Sequence, residues 1–404
     1  MSDMEQAAEP TPIPEIFDEK TLARETSLVR GGPFYRAQEA VRLLTPERWN
    51  LGRRILLAIG IGWLPLVLIT LLFRREMIRS LLTDYMINVR MLIAVPILLI
   101  GQVLMEHVLR IIVRHIHSAV LLLPAEETKE HLTILKLIRL RDSIVAEGVI
   151  VAIAYAHFVI AKSHAGMDHI WAVSGVATGT HLSMAGWYYA LVSQLLYQLL
   201  LGISLWKWVL WICFLFRLSK LDLQLVPTHP DEHGGLGFLG MSPIAIAPTI
   251  FVASLAIGST WRTQILHDGA HLMNFKIDAI VWLVVVLLIS MGPLALFVPR
   301  LTNLRRQGIL QYGALGQLHS TEFHKKWILN NIKGHEEEFL TAPEVSTLTD
   351  FATSYENVEK LKPFPLDQGT MIGVILATVL PMLPVILAEI PFITVLKGLL
   401  SAVK

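Results

Sequence analysis

Four stretches of this chain run for about twenty positions without a charged residue: 55–73, 242–260, 279–299 and 369–388. A helix needs roughly 20 apolar residues to cross the hydrocarbon core of a bilayer, so each of these is long enough to span it. Composition points the same way, with 53% hydrophobic and 17% charged residues among 404, against roughly a quarter charged in an ordinary soluble protein. Three further spans carry polar residues. The segment 91–105 stops at Glu106, 143–161 contains Glu147 and His157, and 186–216 is overlong and holds Lys207. The sequence therefore predicts an all-α, polytopic transmembrane bundle of about seven spans. Its expected divisions are an acidic, Pro-rich mobile tail (1–32), a membrane domain (33–299), a helical cytoplasmic segment between spans six and seven (300–368), and the last span with the C-terminus (369–404).

Lys and Arg near span ends set orientation. Arg36, Arg42, Arg48, Arg53 and Arg54 precede the first span, and Arg110, Arg114, Lys129, Lys136, Arg139 and Arg141 follow the second. Both groups predict a cytoplasmic N-terminus. The loop with Arg74, Arg75, Arg79 and Arg90 dissents, and a re-entrant second span would reconcile it by lowering the count to six. The N-terminus lacks the basic start and apolar run of a signal peptide. The single Cys213 excludes an intramolecular disulfide framework, and a net charge of +1 gives no case for nucleic acid.

The hexapeptide GLGFLG at 235–240 matches the dinucleotide fingerprint G-x-G-x-x-G. That fingerprint works only between a strand and a helix, with an acidic residue about 20 positions on. Here membrane segments flank it and no acidic residue lies between Gly240 and Asp268, so no nucleotide is expected. Gly234, Gly235, Gly237 and Gly240 read instead as a joint where the backbone turns and approaches a neighbour closely. Before the joint, Asp222, His229, Asp231, Glu232 and His233 form either an ion or proton site at a cytoplasmic mouth or a capped turn at Pro230.

Ionisable residues within the membrane imply function or pairing. Glu147 stands about one turn into the third span, within reach of Arg139 or Arg141 for a pair. On the fourth span Ser193, Tyr197, Ser204 and Lys207 are spaced four, seven and three apart and share one helical face, which must look toward protein or water. Lys207 has a simpler reading, snorkelling to the interface among Trp206, Trp208 and Trp211. After the second span, His107, Arg110, Arg114 and His117 make a basic face suited to anionic lipid or to an anion path.

On the outer side, His267 and His271 would share a face if that segment is helical and, with His169 or another of His164 and His181, could hold a transition metal. Gly269 between them weakens the helix, and no H-E-x-x-H signature is present. No catalytic residue and no cofactor is otherwise predicted. The stretch APEVSTLTDFATSYENVEKLKPFPLD reads as an amphipathic helix ended by Pro363 and Pro365, its apolar face calling for the rest of the segment or for another copy of the chain, a homo-oligomer.

The segments LDLQLVPTHPDEHGGLGFLG and STLTDFATSYENVEKLKPFP resemble an uncharacterised family of bacterial polytopic inner-membrane proteins, over about two thirds of the chain. The resemblance implies a bacterial inner-membrane location and this topology, and carries no activity or site residue. Three functions are then open: a channel or transporter for an ion or small solute, a scaffold or assembly subunit of a membrane complex, and a membrane-embedded metal-dependent enzyme with its site on the outer face. Polar residues converging on one cavity would mark the first. A solid core with an exposed apolar patch on the cytoplasmic segment would mark the second, and three convergent histidines the third.

Overall fold

A computed structural model of the protein describes residues 27–45, 49–119, 121–164, 170–174, 181–329 and 343–389. Their backbone is almost wholly helical, as a bilayer demands of any segment whose amides cannot reach water. In chain order the helices are α1 (Pro33–Ala40), α2 (Leu51–Phe73), α3 (Tyr85–Ser118), α4 (Pro124–Arg141), α5 (Ile144–His164), α6 (Met184–Leu218), α7 (Gly237–His267), α8 (Leu272–Leu329), α9 (Pro343–Lys360) and α10 (Gln368–Glu389). Extended backbone among the described residues is confined to the pair Val173–Ser174 and His181–Leu182 and the bridge between Leu122 and Leu223.

Six of these, α2, α3, α6, α7, α8 and α10, are long and apolar enough to cross a membrane, and α5 adds a shorter apolar stretch, Ile144–His157. The chain is an all-α, multi-pass membrane protein, and the expected count of about seven is close. At 34 residues α3 is about 50 Å long at 1.5 Å per residue, a full crossing that leaves no need for a re-entrant second span. Arg90, counted above with the loop charges, lies within α3. We call the face where α2 begins proximal and the opposite face distal.

Prolines stand at the irregular points of the spans. Pro65 follows a break at Trp63 that splits α2 into Leu51–Gly62 and Leu64–Phe73. Pro96 follows a π-helical turn, Arg90–Ala94, in α3. Pro243, Pro293 and Pro381 each fall inside a 3₁₀ segment, Gly237–Ile246, Gly292–Phe297 and Leu380–Met382, with Pro248 and Pro384 just after. A proline has no amide proton for the i−4 carbonyl and its ring crowds that residue, so the helix tightens, widens or bends there.

The helix of the sixth span does not end at 299. α8 continues beyond its 3₁₀ turn to Leu329, 58 residues in all, or about 87 Å of helix against a hydrocarbon core of about 30 Å. Its second half therefore projects from the proximal face. There α9 packs back along it: Gly308 meets Val358 and Pro227, Gly316 meets Phe351, and Tyr312 stacks on Phe351. α9 stops at Lys360, just before Pro363. Residues 330–342 lie outside the described residues.

The apolar core falls into two clusters. The distal one gathers Leu66, Ile87, Leu98, Leu99, Trp171, Tyr197, Leu200 and Val252; the proximal one gathers Met105, Ile112, Trp208, Trp211, Phe214, Leu239, Leu294 and Phe297. Ser27, Leu28 and Val29 are buried, the last two within the proximal cluster. Residues 27–32, expected to belong to a mobile tail over 1–32, are thus packed against the bundle, because Leu28 and Val29 have apolar surface to bury; residues 1–26 lie outside the described residues.

Candidate functional site

Between the two apolar clusters lies a layer of charge. Arg54 of α2, Gln102 and Glu106 of α3 and Lys207 of α6 are each only 3–4% exposed. On α3 the four-residue spacing of Gln102, Glu106 and Arg110 puts all three on one face. Arg54 Nη2 donates to Gln102 Oε1 (2.8 Å) and its Nε to Gln38 Oε1 (2.8 Å), while the guanidinium lies 5.4 Å from the Trp49 ring centre. Glu106 pairs with Arg110, and Arg30 is 3.5 Å away. The charges acting on Lys207 are Arg54, Glu106, Arg141 and Glu147. Lys207 thus faces the bundle interior, and the expectation that it snorkels to the interface is corrected.

The chain's own residues 27–34 close this layer on the proximal side. Ser27 Oγ donates to Glu106 Oε2 (2.6 Å), and the Ser27 carbonyl accepts from Arg141 Nη1. Gly32 N donates to Asp142 Oδ1 (2.9 Å) and Phe34 N to Glu147 Oε2 (2.7 Å). Glu147 therefore caps the first turn of α1, where unpaired amides and the helix dipole favour a carboxylate. It does not pair with Arg139 or Arg141 as its spacing suggested, because Arg141 Nε is taken by Asp142 (2.7 Å). Burial pushes the Asp142 carboxyl up, but Arg141, the Gly32 amide and Arg36 outweigh it and hold it below its ordinary value.

Not every donor in the layer is satisfied. Among the described residues Arg54 Nη1, Gln102 Nε2 and Arg110 Nε are buried with no hydrogen-bond partner, and each such atom costs about 1–3 kcal/mol. Among the described residues of the layer cations also outnumber carboxylates, with Arg30, Arg54, Arg110, Arg141 and Lys207 against Glu106, Asp142 and Glu147. Surplus donors and surplus positive charge in a dry layer fit a bound anion or the acceptor end of a polar solute.

The distal half holds a half-buried cation, built differently. Arg90 Nη1 donates to Tyr189 Oη and Gln194 Oε1, both at 2.7 Å, and the guanidinium lies 5.3 Å from the Tyr197 ring centre. Two π-helical turns meet here, Arg90–Ala94 of α3 and Tyr189–Ser193 of α6. Tyr197 and Lys207 are ten residues apart on α6, about 15 Å, and Leu200 and Ile203 between them are buried. The polar stripe of α6 is therefore interior along its whole length but not continuous. Ser193 Oγ donates to the Gly62 carbonyl (2.5 Å) and Ser204 Oγ to its own helix at Leu200 (2.9 Å).

The joint is a folded device in its own right. Asp231 accepts from the amides of His233 (2.9 Å), Gly235 (3.1 Å) and Gly237 (2.8 Å) and pairs with His229 (2.8 Å). Burial raises its carboxyl, but those amides and His229 outweigh it and hold it below its ordinary value. The amides that a dinucleotide loop would turn toward phosphate are thus filled by a carboxylate of the same chain. Gly234 and Gly235 have positive φ, and a Cβ on Gly240 would stand 2.9 Å from Asp367 N. Glu232 pairs with Lys362 (2.6 Å) and His233 reaches the Phe364 carbonyl (3.1 Å), tying the joint to the linker before α10. Asp222 stands apart and exposed, its amide meeting Glu126.

The basic face divides. Arg110 turns in to Glu106, His117 Nε2 lies 3.6 Å from the buried Glu130, and His107 and Arg114 are exposed. The distal pair His267 and His271 does not share a helical face. α7 ends at His267 and Gly269 has φ +68°, so the helix assumed for His267 and His271 is broken. His271 instead lies 3.4 Å from Glu389. His169 lies outside the described residues, and among those described no three of His, Cys, Asp and Glu are placed to share a metal ion.

No protein-family model matches the chain, and neither a curated protein nor a solved structure shows significant similarity to it. The site therefore rests on its own geometry. Sequence reasoning passed over Arg54, Arg90, Gln102 and Glu106. Arg54 and Arg90 were counted as flanking charge and Glu106 as the end of a span; the readable signal was that all three sit inside helical runs otherwise fit to cross a bilayer.

Proposed function

We propose that the protein is a membrane transporter or channel for an ion or small polar solute, and that the layer of Arg54, Gln102, Glu106 and Lys207 binds it. One observation carries this reading: charged side chains from three separate membrane helices are buried together, with donors left open. Charge inside a membrane is costly and is ordinarily retained for passage or binding. The donor surplus favours an anion. The arrangement is a closed state, sealed distally by Leu200 and Ile203 and proximally by residues 27–34, with the proline breaks as the points where spans bend.

The test is uptake of labelled chloride, inorganic phosphate and small carboxylates into liposomes containing the purified protein. We expect flux of one class above protein-free vesicles, reduced at least tenfold by Lys207→Gln with yield and monodispersity unchanged. Absence of flux for every class, in wild type and in a variant lacking residues 1–34, would overturn the reading.

A second reading, an assembly subunit, draws on a separate observation. Leu310, Leu315, Leu318, Ile328 and Leu329 are 53–69% exposed on the part of α8 that projects beyond the membrane, where no lipid covers them, and exposed apolar surface of that kind marks a protein contact.

A further inference from the structure

A groove of about 700 Å³ opens on the proximal side between α4, α6 and α8, within the size range of small-molecule sites. Its walls are apolar, formed by Leu137 of α4, Ile212 of α6, and Leu288 and Leu296 of α8. Leu288 is 64% exposed and Ile289 beside it 43%, so the groove is open along its membrane side. Its floor is the 3₁₀ turn of α8, where the helix tightens at Gly292 and Pro293. Its rim is cationic. Lys136 and Arg217 line it, with no acidic residue among the described residues of its wall, and Lys220 stands 4.1 Å from the centre of the Phe216 ring at the same edge.

We propose that this groove is a binding site for one anionic phospholipid, an acyl chain lying along Ile212, Leu288 and Leu296 and its phosphate held by Lys136 and Arg217. Charge complementarity selects the occupant. A second protein helix would have no acidic partner to meet here except one it brought itself, whereas an anionic headgroup belongs at this depth, where apolar wall gives way to basic rim. Basic pockets between membrane helices on the side rich in Lys and Arg suit such headgroups. The basic face of α3 suits them less well, since Arg110 is turned in to Glu106. The site is independent of the transport reading: it lies on the lipid-facing side of α6, and Arg54, Gln102, Glu106 and Lys207 contribute nothing to it.

Native mass spectrometry of the full chain in detergent, with equimolar phosphatidylglycerol and phosphatidylcholine of distinct mass, tests this. The first lipid retained is expected to be phosphatidylglycerol by about tenfold or more, as two near-surface cations favour its anionic headgroup. Lys136→Gln with Arg217→Gln should bring the ratio close to one. Gly292→Leu supplies a second arm, because Gly292 lines the groove and a Cβ there meets nothing within 4 Å; it should remove the first bound lipid of either class. Equal retention of the two lipids by wild type overturns the proposal. So does an unchanged preference in the double variant, or an unchanged first lipid in Gly292→Leu.

Discussion

Arg90 and Arg54 are both guanidinium groups inside a membrane bundle, on neighbouring helices, and they are held in opposite ways. Arg90 in the distal half, half-buried, meets Tyr189 and Gln194 through Nη1 and the face of Tyr197. Arg54 in the proximal half meets Gln38 and Gln102 but keeps Nη1 open beside the open amide of Gln102. A charge whose neighbours are side chains turned to meet it acts as a structural clamp between the elements that carry them. A buried charge with donors to spare is already paying a desolvation penalty and is relieved by something arriving. Among charged side chains with unpartnered buried atoms, Arg110 and Glu130 also lie on the proximal side, so the contrast is between halves and not merely between two residues.

The largest effect expected is on the clamp. Arg90→Leu removes the donor that joins the two π-helical turns, and we expect a loss of about 3 kcal/mol or more. In practice this would appear as a large drop in thermal stability in detergent and in folded yield. Tyr189 and Gln194 are 3.0 Å apart and can bond each other, which limits the damage on their side. A stability equal to wild type would break the comparison, because Arg90 would then be as dispensable structurally as a ligand-binding group.

Next in size is Glu130 of α4. Burial, with Glu127 adding to it, pushes its carboxyl from 4.5 up to about 7, and both its oxygens lack hydrogen-bond partners among the described residues. A carboxyl whose pKa is raised on folding keeps its proton in the folded state and loses it in the unfolded one between these values. Stability therefore falls as pH rises from about 4.5 to about 7, by an amount on the order of 3 kcal/mol, and is level above that. Denaturation followed across this window should show the decline in wild type and lose it in Glu130→Gln. His117, 3.6 Å from Glu130, and Glu127 are the neighbours to hold constant. The same slope in both proteins would show that Glu130 is not the titrating group.

How much of this was legible follows from what each feature depends on. The spans were readable because an apolar run of twenty residues has one stable environment. The joint was readable as mechanics, since four glycines in seven residues leave few other uses. Its anchor, Asp231, was named without its role, because a carboxylate bonded to amides two, four and six residues on depends on a turn that only the fold closes. The charged layer was hidden for a different reason. Whether Arg54 faces headgroups or Gln102 is settled by how α2 is rotated against α3, and a single sequence carries no record of that rotation. Likewise the pairing of Glu147 with Phe34 N crosses 113 positions, whereas spacing along one helix could offer only Arg139 and Arg141.

The smallest stability effect, and the one that sharpens the contrast most, belongs to Arg54→Gln. Removing this guanidinium forfeits its bonds to Gln38 and Gln102 and its contact with Trp49, but it also removes a buried charge whose Nη1 was never satisfied. The two contributions oppose each other, so we expect a loss of only about 1 kcal/mol, well below that of Arg90→Leu. The functional consequence should run the other way. A ligand that binds only the folded state stabilises it by an amount that grows with concentration, about 2.7 kcal/mol at a hundred times its dissociation constant. Thermal stability measured against increasing chloride, phosphate or a small carboxylate at fixed ionic strength should rise for one of these in wild type and in Arg90→Lys, and stay flat in Arg54→Gln. Were the rise to persist in Arg54→Gln, the anion would be binding elsewhere and the open donors of the proximal layer would be serving water alone. Were Arg54→Gln instead to unfold as readily as Arg90→Leu, both arginines would be clamps, and the difference between the two halves would lie in their hydrogen-bond geometry without extending to what they do.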